Sequence, residues 1–320
     1  MGDCARGEYI YKLGSKSRWS NADIGGGLKA GNKYLDDGTL YVAIFNEDGS
    51  GAWKALVHGQ NGLDVSNTVL PFHGQDEVLV FARAAADVVG ATKMDRPEWV
   101  SVSPITGEVY VTLTNNKYRG VSDDQPLSAS NPRSYQVGGK ARGNDNGHII
   151  RWAEAGGNHA ATSFEWDIYL FASPSDLSAE NLSQLNDNND LSSPDGLYFD
   201  PRGVLWIQTD DGAYTDASSC MLLAALPGKV SDGSLMTTSA GQQTRVGMPA
   251  SNDNIKRFFV GPEGCEVTGI TMTPDFKTLF INIQHPGNSW GAVAGGSTPR
   301  SATVMITRED GDVILAESFD

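Results

Sequence analysis

The chain has 320 residues, of which 39% are hydrophobic and 20% are charged, a composition typical of folded globular proteins and not of disordered ones. Its formal net charge of -15 argues against nucleic-acid binding, which normally requires a basic surface. No stretch approaches the roughly 18 consecutive apolar residues of a membrane-spanning helix, so no membrane association is expected.

The N-terminal region predicts strands and one helix. Apolar or alternating runs predict strands at 9–13 and 38–45, and the turn residues at 46–51 lead to a partner strand at 52–56. Residues 75–89 lack helix breakers and are rich in Ala, Glu, Val and Leu, so they predict a helix. No apolar signal region precedes the first strand, which favours either a cytoplasmic protein or a mature or truncated chain.

The central region begins with a strand–turn–strand unit at 96–116. The polar stretch 116–147 predicts a long loop that is either functional or mobile. Alternation with period two at 147–152 and 164–171 predicts a pair of strands. The acidic, Asn-rich stretch 173–191 is interpreted as a connection.

The C-terminal region contains two further strand–turn–strand units, at 193–210 and 265–284. Residues 214–257 mix Ser, Gly, Met and Thr and are interpreted as a connection, after which 258–262 resumes strand character. A final strand and turn are predicted at 300–311.

The three strand–turn–strand units share one pattern, because an acid opens the first strand and a turn with Pro or Gly precedes the second. These acids are Glu98, Asp195 and Glu266. A motif that recurs with long insertions favours a β-propeller, with a β-sandwich as the second choice. The predicted fold class is therefore all-β: a complete or incomplete β-propeller with long loop insertions and one or two short helices.

Equivalent acids converge in a propeller, because the first strand of every blade lines the central channel. Buried like charges repel and lose hydration, at a cost of several kcal/mol per ion unless a cation lies among them. Carboxylates suit calcium, and they also serve iron or manganese. The alternative is that each acid only caps the turn before its strand.

Arg96 stands two residues before Glu98, so both side chains point to the same side of an extended strand. A guanidinium beside a metal-binding carboxylate suits an oxyanion such as phosphate, which its planar fork binds bidentately. The alternative is a salt bridge that holds Glu98. Groups at the ends of the second strands are candidates to support the ligands. They are Asn115, Asn116, Asp210 and Gln284.

Six sequence blocks resemble the PhoX family of bacterial alkaline phosphatases. In chain order they read GEYIYK, RPEWVSVSPITGEVYVTLTNN, GHIIRW, SPDGLYFDPRGVLWIQTD, CEVTGITMTPDFKTLFINIQHPG and RSATVMITREDG. The blocks are collinear and cover nearly the whole chain, so chance similarity is a poor explanation. The resemblance implies a β-propeller whose central site binds calcium and iron and hydrolyses phosphate monoesters.

Motif by motif, the resemblance implies four metal ligands and one phosphate contact. The ligands are Glu8 in GEYIYK, Glu98 in RPEW, Asp195 in SPDG and Glu266 in CEVTG, and the phosphate contact is Arg96. Glu8 is added by the resemblance alone. A phosphate monoester is the implied partner, and we expect a monomer. The resemblance also implies periplasmic or extracellular residence.

The chain departs from the family in one respect. Family members are longer and carry an N-terminal portion with a Cys iron ligand, and no block of this sequence matches it. Cys4 is not a substitute on motif grounds, because its segment GDCARGEYIYK aligns with a different family stretch. Residues 1–320 are therefore interpreted as one propeller-like domain, the C-terminal part of a longer propeller, with calcium as the expected cofactor and iron in doubt.

Two functions compete with phosphomonoester hydrolysis. One is a non-catalytic calcium-binding propeller that serves as a scaffold, which the missing Cys segment suggests. The other is a different calcium-dependent propeller hydrolase, such as a lactonase, whose ring of carboxylates would have similar spacing.

Overall fold

The computed structural model describes residues 4–137, 140–177, 179–210 and 218–315. Regular structure in these ranges is mostly β, with three α-helices. The elements in chain order are β1 (Arg6–Glu8), β2 (Tyr11–Ser15), α1 (Leu28–Leu35), β3 (Gly38–Phe45), β4 (Ser50–Ala55), α2 (Gln75–Val80), α3 (Ala82–Val88), β5 (Met94–Asp95), β6 (Pro97–Val102), β7 (Val109–Leu113), β8 (Tyr135–Val137), β9 (Lys140–Gly143), β10 (His148–Glu154), β11 (Ser163–Phe171), β12 (Pro194–Phe199), β13 (Leu205–Thr209), β14 (Met221–Ala225), β15 (Ser234–Thr237), β16 (Gln243–Val246), β17 (Ile255–Val260), β18 (Glu266–Met272), β19 (Thr278–Gln284) and β20 (Ala302–Thr307).

Three sheets carry the architecture. The largest has nine strands, with the path β2-β3-β4-β11-β10-β7-β6 and with β16 joining β11 to β15. The second has the order β12-β13-β14-β17 and the third the order β18-β19-β20, while β1-β5 and β8-β9 form small two-stranded sheets. The units β6-β7-β10-β11, β12-β13-β14-β17 and β18-β19-β20 are antiparallel and follow one another along the chain.

These units stack face to face, and the middle sheet shows why. Leu205 and Ile207 on β13 face the first sheet, in a cluster with Tyr110, whereas Trp206 between them faces the third, in a cluster with Ile281. Successive strand residues point to opposite faces, so both faces of this sheet are buried and its strands are continuously apolar. Each fully buried aliphatic side chain contributes about 1.5–3 kcal/mol. The result is an all-β, propeller-like fold, which confirms the predicted fold class.

The acid-bearing strands β6, β12 and β18 each lie at the edge of their unit, and two hydrogen bonds join the first unit to the second. The hydroxyl of Thr112 on β7 donates to the Asp195 carbonyl over 2.6 Å, and the Phe199 amide donates to the Ser101 hydroxyl over 2.9 Å. The predicted hairpins at 96–116, 193–210 and 265–284 are present, because their alternation and turn residues are local signals.

The helices differ from expectation in two ways. The predicted helix at 75–89 is two helices, α2 and α3, broken at Phe81 with φ -103° and ψ 38°; aromatic and β-branched residues such as Phe81 and Val80 form helices poorly. Helix α1 was not predicted, since its Gly-rich surroundings indicate a loop. None of the helices in the described ranges is both long enough and apolar enough to cross a membrane.

Two predicted connections contain regular structure. The stretch 116–147 is a folded insertion rather than a mobile loop: it holds β8 and β9, and its Arg119 and Arg133 side chains are buried. The stretch 214–257 was wrongly interpreted as a connection, because it contains β14, β15 and β16. The apolar run of β14 is flanked by polar residues that hide it in the sequence, and residues 214–217 lie outside the described ranges.

Candidate active site

Carboxylates from three successive sheets approach one another; they belong to Glu98, Asp195 and Glu266. We call these three, together with Asp210, the carboxylate ring. Burial, followed by the negative charges of Glu98, Glu266 and Asp210, raises the pKa of the Asp195 carboxyl to about 7. Distances link the acids directly: Arg96 Nη2 lies 3.2 Å from Glu98 and 3.8 Å from Asp210, and ligand atoms of Asp210 and Glu266 lie within 4.8 Å of each other. The structure therefore brings the acids of the three repeats to one place, as the propeller argument predicted.

The other ring members are perturbed in the same direction. Burial raises the pKa of Glu98, opposed by the charge of Arg96 and assisted by Asp210 and Glu266. Burial and the charge of Asp210 raise the pKa of Glu266. All three shifts express the cost of holding several negative charges with little water around them, and a bound cation would remove that cost.

The backbone before each acid repeats one unusual conformation. Two residues before Glu98, Asp195 and Glu266 the chain is left-handed, with φ of 56° at Arg96, 51° at Ser193 and 71° at Gly264. Glycine adopts this conformation freely, whereas Arg and Ser are strained by on the order of 1 kcal/mol. Strain of this kind concentrates at functional sites. Ser193 was not singled out from sequence, although its place before Pro-acid matches that of Arg96.

A β-bulge accompanies the acid in the first two hairpins. The strand register shifts between Pro97 and Val100 in the first, and between Pro194 and Leu197 in the second. Bulges re-aim side chains, and here they interrupt the pairing beside Glu98 and Asp195. Gly196 is required in the second bulge, because a Cβ at this position would collide with the Gln208 amide. Packing thus explains the glycine of the motif SPDG.

Arg96 lies at the edge of the carboxylate ring. Its Nη2 is 3.2 Å from Glu98 Oε1 and 3.8 Å from Asp210 Oδ2, and its Nε donates to the Cys4 carbonyl over 3.1 Å. The salt bridge with Glu98, one of the two alternatives from sequence, is therefore present. The side chain remains 18% exposed. It is thus both oriented by carboxylates and open to solvent on one side.

The end of β19 supplies two groups to Glu266. Gln284 donates from Nε2 to Glu266 Oε2 over 2.7 Å, which fits its predicted supporting position. His285 Nε2 lies 3.6 Å from the same oxygen, and ligand atoms of Asp210, Glu266 and His285 all lie within 4.8 Å of one another. His285 was not singled out from the sequence. It directly follows a second strand, as Asp210 does, and this shared offset is the signal that could have identified it.

The two adjacent asparagines have different surroundings. The Asn115 side chain accepts a hydrogen bond from Arg6 Nη2 over 3.1 Å, and its Nδ2 lies 3.4 Å from the Ser193 hydroxyl. Asn116 is fully buried and donates to Asp95. Asn115 therefore borders the left-handed residue of the second repeat, whereas Asn116 lies behind the site.

Glu8, the ligand added by resemblance, lies on the short strand β1. Its strand β1 pairs with β5, which directly precedes Arg96, and its carboxylate is buried in an ion pair with Arg83. Glu8 is not among the neighbours with the largest effects on the pKa of Asp195. Its role as a fourth ligand stays a prediction.

The donor atoms of the ring fit calcium well and iron only partly. Calcium prefers about six to eight oxygen ligands in flexible geometry, which carboxylates from several strands supply. The two buried thiols do not fit iron: burial raises the pKa of Cys265 to about 12, and Cys220 is buried beside it. An iron ion among the ring residues and His285 would depend on their carboxylate and imidazole groups.

Comparisons with known proteins agree on one family. The family model described as alkaline phosphatase PhoX matches residues 1–287. Among solved structures, PhoX of Pseudomonas fluorescens in complex with vanadate, a transition state analogue, is 40% identical with a TM-score of 0.80. The match covers 98% of this chain and 51% of that one, so the chain spans about half the length of this relative. No curated protein gives a significant match.

Proposed function

Because the chain belongs to the PhoX family of alkaline phosphatases, we propose that it hydrolyses phosphate monoesters and releases inorganic phosphate. The observation that carries this proposal is the position of Arg96 at the edge of the carboxylate ring. A ring of acids alone repels a phosphate dianion. An arginine at its edge, together with cations among the acids, creates a place where a phosphoryl group binds.

The residues that would hold calcium are Glu98, Asp195 and Glu266, with Glu8 as a fourth ligand. Their raised pKa values support this assignment, because uncompensated buried carboxylates favour binding of a hard cation. When bound, calcium supplies positive charge that offsets the charge of the phosphate oxygens. The relative's complex with vanadate, a transition state analogue, supports a phosphoryl substrate. Iron is proposed as a second metal with less support from the donor atoms.

The side chains of this chain then have distinct tasks. The Arg96 guanidinium binds phosphate oxygens and stabilises the charge that develops on them during transfer to water. Glu98, in contact with Arg96, orients this guanidinium. Burial and the neighbouring negative charges raise the pKa of Asp195 to about 7, so its carboxyl is ionised only above that value when no cation is bound. Cation binding, and hence activity, should therefore be favoured at alkaline pH.

The decisive experiment compares two arginines in hydrolysis of p-nitrophenyl phosphate, with calcium and iron supplied. Arg96→Ala should lower kcat/KM by about 10²–10³, as loss of a group that stabilises transition-state charge does. Arg308→Ala is the matched control, because Arg308 also pairs with an acid two residues away, Asp310, on an exposed turn. Its activity should equal that of the wild type.

The alternatives give different results in the same preparation. Calcium-dependent thermal stabilisation without any phosphate release would favour the scaffold. Turnover of a lactone above that of the phosphate ester would favour the other hydrolase. Elemental analysis of the purified chain reports whether calcium, iron or both are bound. We also propose a monomer located in the periplasm or outside the cell, which light scattering and cell fractionation test.

A further inference from the structure

The backbone of Arg96 is unfavourable for two reasons. Its φ of 56° is left-handed, and the residue that follows is Pro97, which restricts the preceding residue to extended conformations. Its amide donates to the Met94 carbonyl over 3.2 Å, closing a tight turn at this point. Such a conformation persists only where the surrounding structure enforces it.

Asp95, the residue before Arg96, is buried and is held by three side-chain hydrogen bonds. Its carboxylate is 0% exposed and accepts from three side chains. Arg119 Nε and Asn116 Nδ2 donate to Oδ1 over 2.8 Å and 2.7 Å, and Asn144 Nδ2 donates to Oδ2 over 3.0 Å. Both carboxylate oxygens are thereby fixed in direction.

The partners of Asp95 are themselves fixed by the backbone. Arg119 is 2% exposed, and its two terminal nitrogens donate to the carbonyls of Pro126 and Lys93, each over 2.7 Å. Asn116 and Asn144 exchange two backbone hydrogen bonds of 2.8 Å and 2.9 Å. The insertion 116–147 is thus folded around Asp95, and Lys93, two residues earlier, belongs to the same contact.

We propose that Asp95, Arg119, Asn116 and Asn144 form a positioning network that holds Arg96 in its left-handed conformation and so directs its guanidinium to the carboxylate ring. A buried ion pair is often no more stabilising than apolar residues of similar volume, which makes orientation the better explanation for its presence. The part of this inference that concerns phosphate rests on the proposed function. The part that concerns the backbone does not.

The first test measures the inhibition constant of inorganic phosphate against p-nitrophenyl phosphate. Asp95→Asn keeps the shape of the side chain but removes its charge, and it should raise this constant about tenfold. In an Arg96→Ala background the same change should alter the constant less than about twofold, because the network acts through Arg96. Asp200→Asn is the control, since Asp200 is equally buried and paired with Arg202 at the far end of β12. It should lower stability and leave the constant unchanged.

The second test needs no activity. Glycine adopts a left-handed conformation without strain, so Arg96→Gly should melt about 2–4 °C above Arg96→Ala. Asp95→Asn should close this gap, because the backbone is then free to relax. A gap of the same size in both backgrounds overturns the inference.

The two tests separate the two proposals. Absence of phosphatase activity with a gap that Asp95→Asn closes rejects the proposed function and retains the network. Normal activity with equal effects of Asp95→Asn in both Arg96 backgrounds rejects the network alone. If Asp95→Asn does not fold, Arg119→Lys replaces it, since lysine keeps the charge but lacks the fork that joins Asp95 to Lys93 and Pro126.

Discussion

Two groups of acids in this molecule differ in how their negative charge is compensated. On β10 and β11, Arg151 donates to both oxygens of Asp167, over 2.7 Å and 3.1 Å, and to Asp232 over 2.7 Å. Backbone amides complete the set: Ser231 donates to Asp167, and Met248 donates to Asp232. In the carboxylate ring, Arg96 pairs with Glu98 and Asp210, and the pKa values of Glu98, Asp195 and Glu266 are raised.

The comparison distinguishes acids whose charge is compensated by the protein from acids whose charge is left largely uncompensated. Acids in the Arg151 group receive donors from the protein itself, so their charge is satisfied as the chain folds. Acids of the ring receive fewer donors, among them Arg96 on Glu98 and Gln284 on Glu266, and their charge is costly until a cation binds. The contrast can be tested by removing the cation Arg151 from the first group and the negative charge of Asp195 from the second.

The largest effect on stability is expected from removing Arg151, the cation of the first group. Arg151→Met leaves the buried Asp167 and the half-buried Asp232 without their cation, and it should lower the free energy of unfolding by about 3–5 kcal/mol. Urea denaturation followed by tryptophan fluorescence measures this. Activity per folded molecule should be unchanged, because the substitution does not touch the ring. A loss below about 1 kcal/mol would contradict the structural role assigned to Arg151.

The second prediction is a gain in stability rather than a loss. The pKa of Asp195 is raised from an ordinary value near 4 to about 7, so its stabilising contribution is full at acidic pH and is lost as the pH rises through about 7. In chelator at pH 8, Asp195→Asn should therefore raise the free energy of unfolding by up to about 4 kcal/mol, and near pH 4 it should change little. Thermal melts across this range measure the difference. Asp253→Asn, at an exposed position, is the control and should show no such dependence.

A smaller effect, with the opposite dependence on pH, is expected from the buried imidazole of His148. Burial lowers the pKa of His148 to about 4; its Nε2 donates to the Ser130 carbonyl, and its Nδ1 lies 3.2 Å from Asn144 Nδ2. The unfolded chain binds a proton near pH 6.5, so the contribution of His148 is present above that pH and is lost as the pH falls toward 4. This should cost on the order of 1–2 kcal/mol between pH 6.5 and 4.5.

Stability curves against pH test this directly. In His148→Gln, the decline between pH 6.5 and 4.5 should be shallower than in the wild type. His159→Gln is the matched control, because His159 is exposed and should leave the slope unchanged. Identical slopes in all three proteins would contradict the assignment of a buried, neutral His148.

The sequence predicted those parts of the molecule that depend on local patterns. Alternation, Pro and Gly turns and the repeated acid identified the three hairpins, and with them Glu98, Asp195 and Glu266 as neighbours. The neighbours of Asp95 could not be predicted, because Arg119 and Asn144 come from a polar stretch with no periodicity. Their meeting depends on how the insertion 116–147 folds back, which is a long-range effect.

The distribution of cysteines around the site has a practical consequence. Cys220 and Cys265 are buried, whereas Cys4 is exposed and its carbonyl accepts a hydrogen bond from Arg96. A maleimide dye should therefore attach at one position without mutagenesis. Attached there, it would sit beside the arginine at the edge of the ring, where its emission could report the arrival and departure of an oxyanion in real time.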